Sequence, residues 1–119
     1  MIENPKSIWR LANVLEQKST FDRVDGNEWV RVSRSADATF QAWLDGRPVA
    51  PDSPIFIVRD VRDVEESVWS AILSDWQGLL VEGKALRIIG QDNTWILVLS
   101  EIGVAKFGTM GATNKPGGR

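Results

Sequence analysis

Residues 55–80 read IFIVRDVRDVEESVWSAILSDWQGLL, and two different periods meet within them. Ile55 to Val58 is an unbroken apolar run that ends at Arg59, so Ile55–Arg59 reads as a strand covered on both faces and central in its sheet. Further on, Val64, Val68, Trp69, Ile72, Leu73, Trp76, Leu79 and Leu80 recur at helical spacing and form one broad apolar face. Asp63 and Glu66 stand in front of that face with the D-x-x-E spacing of a capping box, so the helix is expected to start at Asp63. Gly83 is its expected C-terminal cap. Trp69 and Trp76, near the middle of the face, are expected in the core.

On the N-terminal side, Asn4-Pro5 pairs a capping side chain with proline at the first helical position. Ile8, Leu11, Ala12 and Leu15 then recur at helical spacing, which predicts a helix over residues 5–17. Residues 19–24 form a short strand candidate, followed by the turn pair Asp25-Gly26. Residues 28–43, EWVRVSRSADATFQAW, alternate like a half-buried hairpin with a loop over 34–38. That register sets Trp29 opposite Trp43, Arg31 opposite Gln41 and Val32 opposite Phe40, with Val30, Val32, Phe40 and Ala42 on one face. Asp45-Gly46 reverses the chain, and Pro48, Pro51 and Pro54 forbid regular ladder bonding before Ile55.

On the C-terminal side, residues 85–89 and 94–99 predict a hairpin around 90–93, and WILVL is too apolar for an exposed edge. Residues 102–107 read as a further short strand or packed extension. Short links dominate, so the sheet is expected to be mainly antiparallel. The expected fold is a single α+β domain over residues 1–107, with about five to six strands and two amphipathic helices packed on them. The second helix is expected on the Val30/Val32/Phe40 face. Residues 108–119 are Gly-rich and end in NKPGGR, which predicts a flexible tail.

Composition narrows the chemistry. The 119 residues contain no cysteine and no histidine, which excludes disulfides, thiolate nucleophiles, Ser-His-Asp triads and Cys- or His-based zinc sites. Any metal would need an all-oxygen site. Asp60, Asp63, Glu65 and Glu66 are the densest acidic group, and a helix cap with its dipole complement accounts for them. Glu82-Gly83-Lys84 matches the E-x-K half of a restriction-type nuclease motif, but it falls on a turn rather than on the strand that chemistry needs. No cofactor is expected. The start MIENPKSIWR has no leader pattern and no segment has the length of a membrane span, so a cytoplasmic location is expected. The formal charge is −2, so no global field draws the chain to nucleic acid.

One feature breaks a local rule. The expected hairpin puts Trp29 and Trp43 on its polar face, beside Arg31 and Gln41, with Arg34 and Arg47 at the loop ends. An indole left in water forgoes about 25 cal/mol per Å² of apolar surface. Another element of the chain, a partner, or stacked bases would each remove that cost. Trp and Arg are the residues that interface hot spots favour. The expected function is therefore non-catalytic binding of another protein or of a second copy, as in inhibitors, immunity proteins, chaperones or accessory factors. The expected site is Trp29, Trp43, Arg31, Gln41, Arg34 and Arg47. Binding of single-stranded nucleic acid through the same face is the first alternative. A carboxylate-dependent metal enzyme using Asp60, Asp63 or Glu82 is the second.

Overall fold

The computed structural model describes residues 4–23, 26–32, 38–80, 85–100 and 103–110. Helix α1 spans Pro5–Lys18. Its start follows from the sequence: Pro5 takes a position whose N–H has no helical partner, and the Ser7 N–H donates to Asn4 Oδ1 at 3.3 Å. Two short strands, β1 (Thr20–Phe21) and β2 (Val30–Arg31), precede helix α2 (Ala38–Asp45). Strands β3 (Pro54–Asp60) and β4 (Asp63–Val68) form a hairpin that leads into α3 (Trp69–Leu80). Strands β5 (Leu86–Gly90), β6 (Trp95–Leu99) and β7 (Val104–Thr109) complete the fold.

Among the described residues this is one α+β domain built on a seven-stranded antiparallel sheet. The strand order is β1-β7-β6-β5-β3-β4, and β2 also pairs with β7. The sheet is covered on both sides. On one side α1 lays Ala12 and Leu15 over Val58, Ile89, Ile96 and Val98. On the other, α2 and α3 bring Phe40, Leu44, Trp69, Ile72 and Trp76 against Ile55, Ile57, Ile88, Leu97 and Phe107. All five residues of WILVL are therefore buried, alternating between the two layers, and β6 is central as the sequence predicts. The second long helix does lie on the side of Val30, Val32 and Phe40.

Two local expectations fail. First, residues 28–43 do not form a hairpin. Val30 and Arg31 pair with Ala105 and Val104 of β7, while Phe40, Gln41, Ala42 and Trp43 belong to α2. The helical period explains this: Phe40, Trp43 and Leu44 stand at i, i+3 and i+4, and all three pack into the α3-side core. Second, Asp63 does not cap a helix. Asp63–Val68 is strand β4, and the helix begins at Trp69. Strand β3 has β5 on one side only, and β4 satisfies the ladder groups on its other side. Helix α3 is itself broken at Asp75, whose backbone (φ −142°, ψ 30°) is not helical. The described residues thus form three helices and seven strands: α2 replaces one expected strand, and β4 adds another.

Toward the C-terminus, Gly108 and Thr109 belong to β7, beyond the expected end of the domain at residue 107. The rest of the expected tail, 111–119, and the expected cap Gly83 lie outside the described residues. Gly108 is needed where it is: a Cβ there would stand 2.8 Å from the Phe21 ring, which rests on the strand.

Candidate functional site

The expected site residues separate onto opposite sides of the sheet. Trp43 and Gln41 sit on α2, and Arg47 follows it, all on the α3 side. Gln41 is a structural bridge. Its Oε1 accepts from Trp76 Nε1 at 2.8 Å, and its Nε2 donates to the Leu73 carbonyl at 3.3 Å and to Asp45 Oδ1 at 3.0 Å. This joins α2 to α3 and gives the buried indole N–H of Trp76 its acceptor.

Trp43 is half-buried, with its ring centre 5.5 Å from that of Phe40. Arg47 covers its outer face at 4.6 Å from the ring centre. The same guanidinium donates to the Trp43 carbonyl at 2.9 Å and to Asp22 Oδ2 at 2.9 Å. Trp43 thus ends an aromatic layer with Phe40 and Trp76, and the chain's own arginine covers it. Arg34 lies outside the described residues.

Trp29 and Arg31 lie on the α1 side. Val30 and Val32 enter the α3-side core, so the alternation of the strand turns Trp29 and Arg31 the other way. Trp29 remains 40% exposed, while Trp69, Trp76 and Trp95 are buried and Trp9 and Trp43 are half-buried. Lys106 of β7 underlies it. Its ammonium stands 4.6 Å from the Trp29 ring centre, 4.0 Å from that of Phe21 and 3.8 Å from Glu28 Oε1. Arg31 is exposed and has no ion pair or hydrogen bond with a described residue.

An open groove of about 430 Å³ runs beside this strip, between Asn13, Glu16 and Gln17 of α1 and Lys106 of β7. One row of the sheet crosses beneath α1: Val64, Val58, Arg87, Val98 and Lys106. Arg87 is held by Asn13 and by Glu16, the latter at 3.4 Å. The α1 side therefore offers a polar groove, an ammonium under two aromatic rings, and an indole and a guanidinium directed to solvent. Lys106, Phe21 and Glu28 were not among the expected site residues. Alternation within VAKFGT places Lys106 opposite the apolar side of β7, but its meeting with Phe21 and Trp29 depends on β1 and β2 sharing β7 as their partner.

The acidic residues serve the β3–β4 hairpin. Arg59 pairs with Asp63 at 3.5 Å and with Glu65 at 3.1 Å. Among the described residues, no group of three or more Asp or Glu is placed to hold a metal ion, and 82–84 lies outside them. No helix among the described residues is long and apolar enough to cross a membrane. No protein-family model matches the chain, and no similar curated protein or solved structure was found.

Proposed function

We propose that this chain is a non-catalytic protein-binding module whose contact surface is the Trp29/Arg31 strip on the α1 side of the sheet. One observation carries this reading: Trp29 is 40% exposed yet held in place by the Lys106 ammonium at 4.6 Å. An indole fixed before binding loses little further freedom when a partner covers it, and Trp with Arg is the usual make-up of an interface anchor. Glu28, paired with both Lys106 and Arg23, adds a carboxylate beside the indole. That favours a protein surface over a phosphate backbone. Trp43, Gln41 and Arg47 support the fold under this reading and make no contact with the partner.

The test compares Trp29→Ala and Arg31→Ala with the unaltered chain in pull-downs from the source cell, with thermal midpoints measured alongside. A partner held by the unaltered chain and lost by both variants, at nearly unchanged midpoints, supports the proposal. A partner held equally by all three refutes it. Light scattering on the same samples tests a second copy as the partner. Retardation of single-stranded RNA or DNA in a low-salt gel shift, lost on Arg31→Ala, would transfer the strip to nucleic-acid binding.

A further inference from the structure

The two edges of the sheet are finished differently. β1 and β2 cover β7 on one side, but no described strand pairs with the outer side of β4. The ladder defines what that side presents. The Gln91 N–H donates to the Pro54 carbonyl at 3.0 Å, and the Trp69 N–H donates to the Ser53 carbonyl at 3.0 Å. Combined with the registers, this directs Pro54, Phe56 and Val58 toward β5, and Ile55 and Ile57 toward β4. Within β4, Ser67 and Glu65 therefore bond to β3. The N–H and C=O groups of Val64 and Glu66, and the N–H of Val68, point away from the sheet, while the Val68 carbonyl opens the hydrogen bonding of α3.

Val64–Val68 has no proline, no lysine and no bulge, so the charges of Glu65 and Glu66 are what guards this edge. Val68 is 39% exposed. Glu65 and Glu66 are both exposed. Glu65 has Arg59, whereas Glu66 meets only the Gln91 amide, at 3.5 Å, among the described residues.

The charges decide what can pair there. A second copy added antiparallel and centred on Glu66 or Glu65 would set identical carboxylates opposite each other, which is destabilising. Centring on Ser67 would run the ladder into Trp69, where α3 begins. A strand with basic residues opposite Glu65 and Glu66, and apolar ones opposite Val64 and Val68, meets neither obstacle.

We propose that β4 accepts an extended basic segment of another protein as an added strand. Main-chain bonds to Val64, Glu66 and Val68 would hold the segment, and Glu65 and Glu66 would select it. This surface lies at the opposite edge of the sheet from Trp29, so the two proposals stand or fall separately.

The probe is a capped peptide, Gly-Val-Thr-Arg-Lys-Val-Gly, titrated into the full chain and followed by amide NMR and hydrogen exchange. The expected dissociation constant is below about 1 mM. At saturation the amides of Val64, Glu66 and Val68 should exchange about tenfold more slowly, while those of Glu65 and Ser67, already bonded to β3, should not change. The same peptide with Glu in place of Arg and Lys should not bind. Glu66→Pro removes an outward N–H that the fold does not use, and should weaken binding about tenfold. If that variant does not fold, Glu66→Lys with Glu65→Lys should transfer binding to the acidic peptide. The proposal is overturned by no response to the basic peptide at millimolar concentration. It is equally overturned by responses confined to Trp29 and its neighbours, or by protection of these three amides through self-association without peptide.

Discussion

The ammonium of Lys106 lies 4.6 Å from the centre of the Trp29 ring, and that contact joins β7 to the segment that closes its outer edge. The Phe21 ring at 4.0 Å and Glu28 at 3.8 Å complete the surroundings of a lysine side chain that is only 14% exposed. One lysine thus ties down both short strands, β1 and β2, which have few ladder bonds of their own. Lys106→Met keeps the aliphatic stem and removes the charge. Its expected cost is about 1–2 kcal/mol, the range for a partly desolvated cation over aromatic rings. Urea denaturation measures it, and a loss indistinguishable from zero would show that the ammonium does not anchor this edge.

The two indoles should respond differently to truncation. Trp43 packs on Phe40 beneath Arg47, so Trp43→Ala is expected to cost about 2–4 kcal/mol. Trp29→Ala, at the exposed strip, is expected to cost about 1 kcal/mol or less. Parallel denaturant titrations compare them, and equal losses would contradict the difference in burial between the two indoles.

Gln41 links α2 to α3 through Trp76 and Leu73. Gln41→Leu preserves volume but leaves the indole N–H of Trp76 without its acceptor, at an expected cost of about 1–3 kcal/mol. Gln41→Glu retains an acceptor and should recover part of that loss. Thermal midpoints of the two variants, together with the Trp76 indole proton signal, check this. A fully stable Gln41→Leu protein would show that the bridge is dispensable.

Gly108 lies beneath Phe21, and a Cβ at residue 108 would stand 2.8 Å from the ring. Gly108→Ala is expected to displace Phe21 and to cost about 1–3 kcal/mol, although alanine suits a strand better than glycine. The double variant Gly108→Ala/Phe21→Ala removes the clash, so its stability should exceed the sum of the single effects. Additive losses would place the cause elsewhere.

Much of the fold was legible where one period ran long enough to exclude the other. The run IFIV and the five residues of WILVL read as strands covered on both faces, and they are β3 and the central β6. Asn4-Pro5 ahead of Ile8, Leu11, Ala12 and Leu15 marked α1 to within one residue of its end. The failures fall on short segments in which both periods fit. ATFQAWLD alternates over five residues and is also helical once Leu44 is counted. DVEESV carries a cap spacing with Val64 and Val68 at i and i+4, and the same two valines also share one face of a strand, interrupted there by Glu66. Local preference cannot separate the two readings over so few residues, because each differs by little per residue.

The residues alone determined that this is an α+β domain without thiol or imidazole chemistry, with Trp69 and Trp76 in its core and an apolar strand at its centre. Only the tertiary structure decided the fates of Trp29 and Trp43, because exposure depends on what distant elements cover. Arg47 and Phe40 close over Trp43, while Trp29 has Lys106 beneath it and stays 40% exposed. Asp63–Val68 followed the same logic. The ladder groups of β3 demanded a partner on that side, and a hydrogen-bond requirement set by a neighbouring strand outweighed a helix-cap signal written in the segment itself.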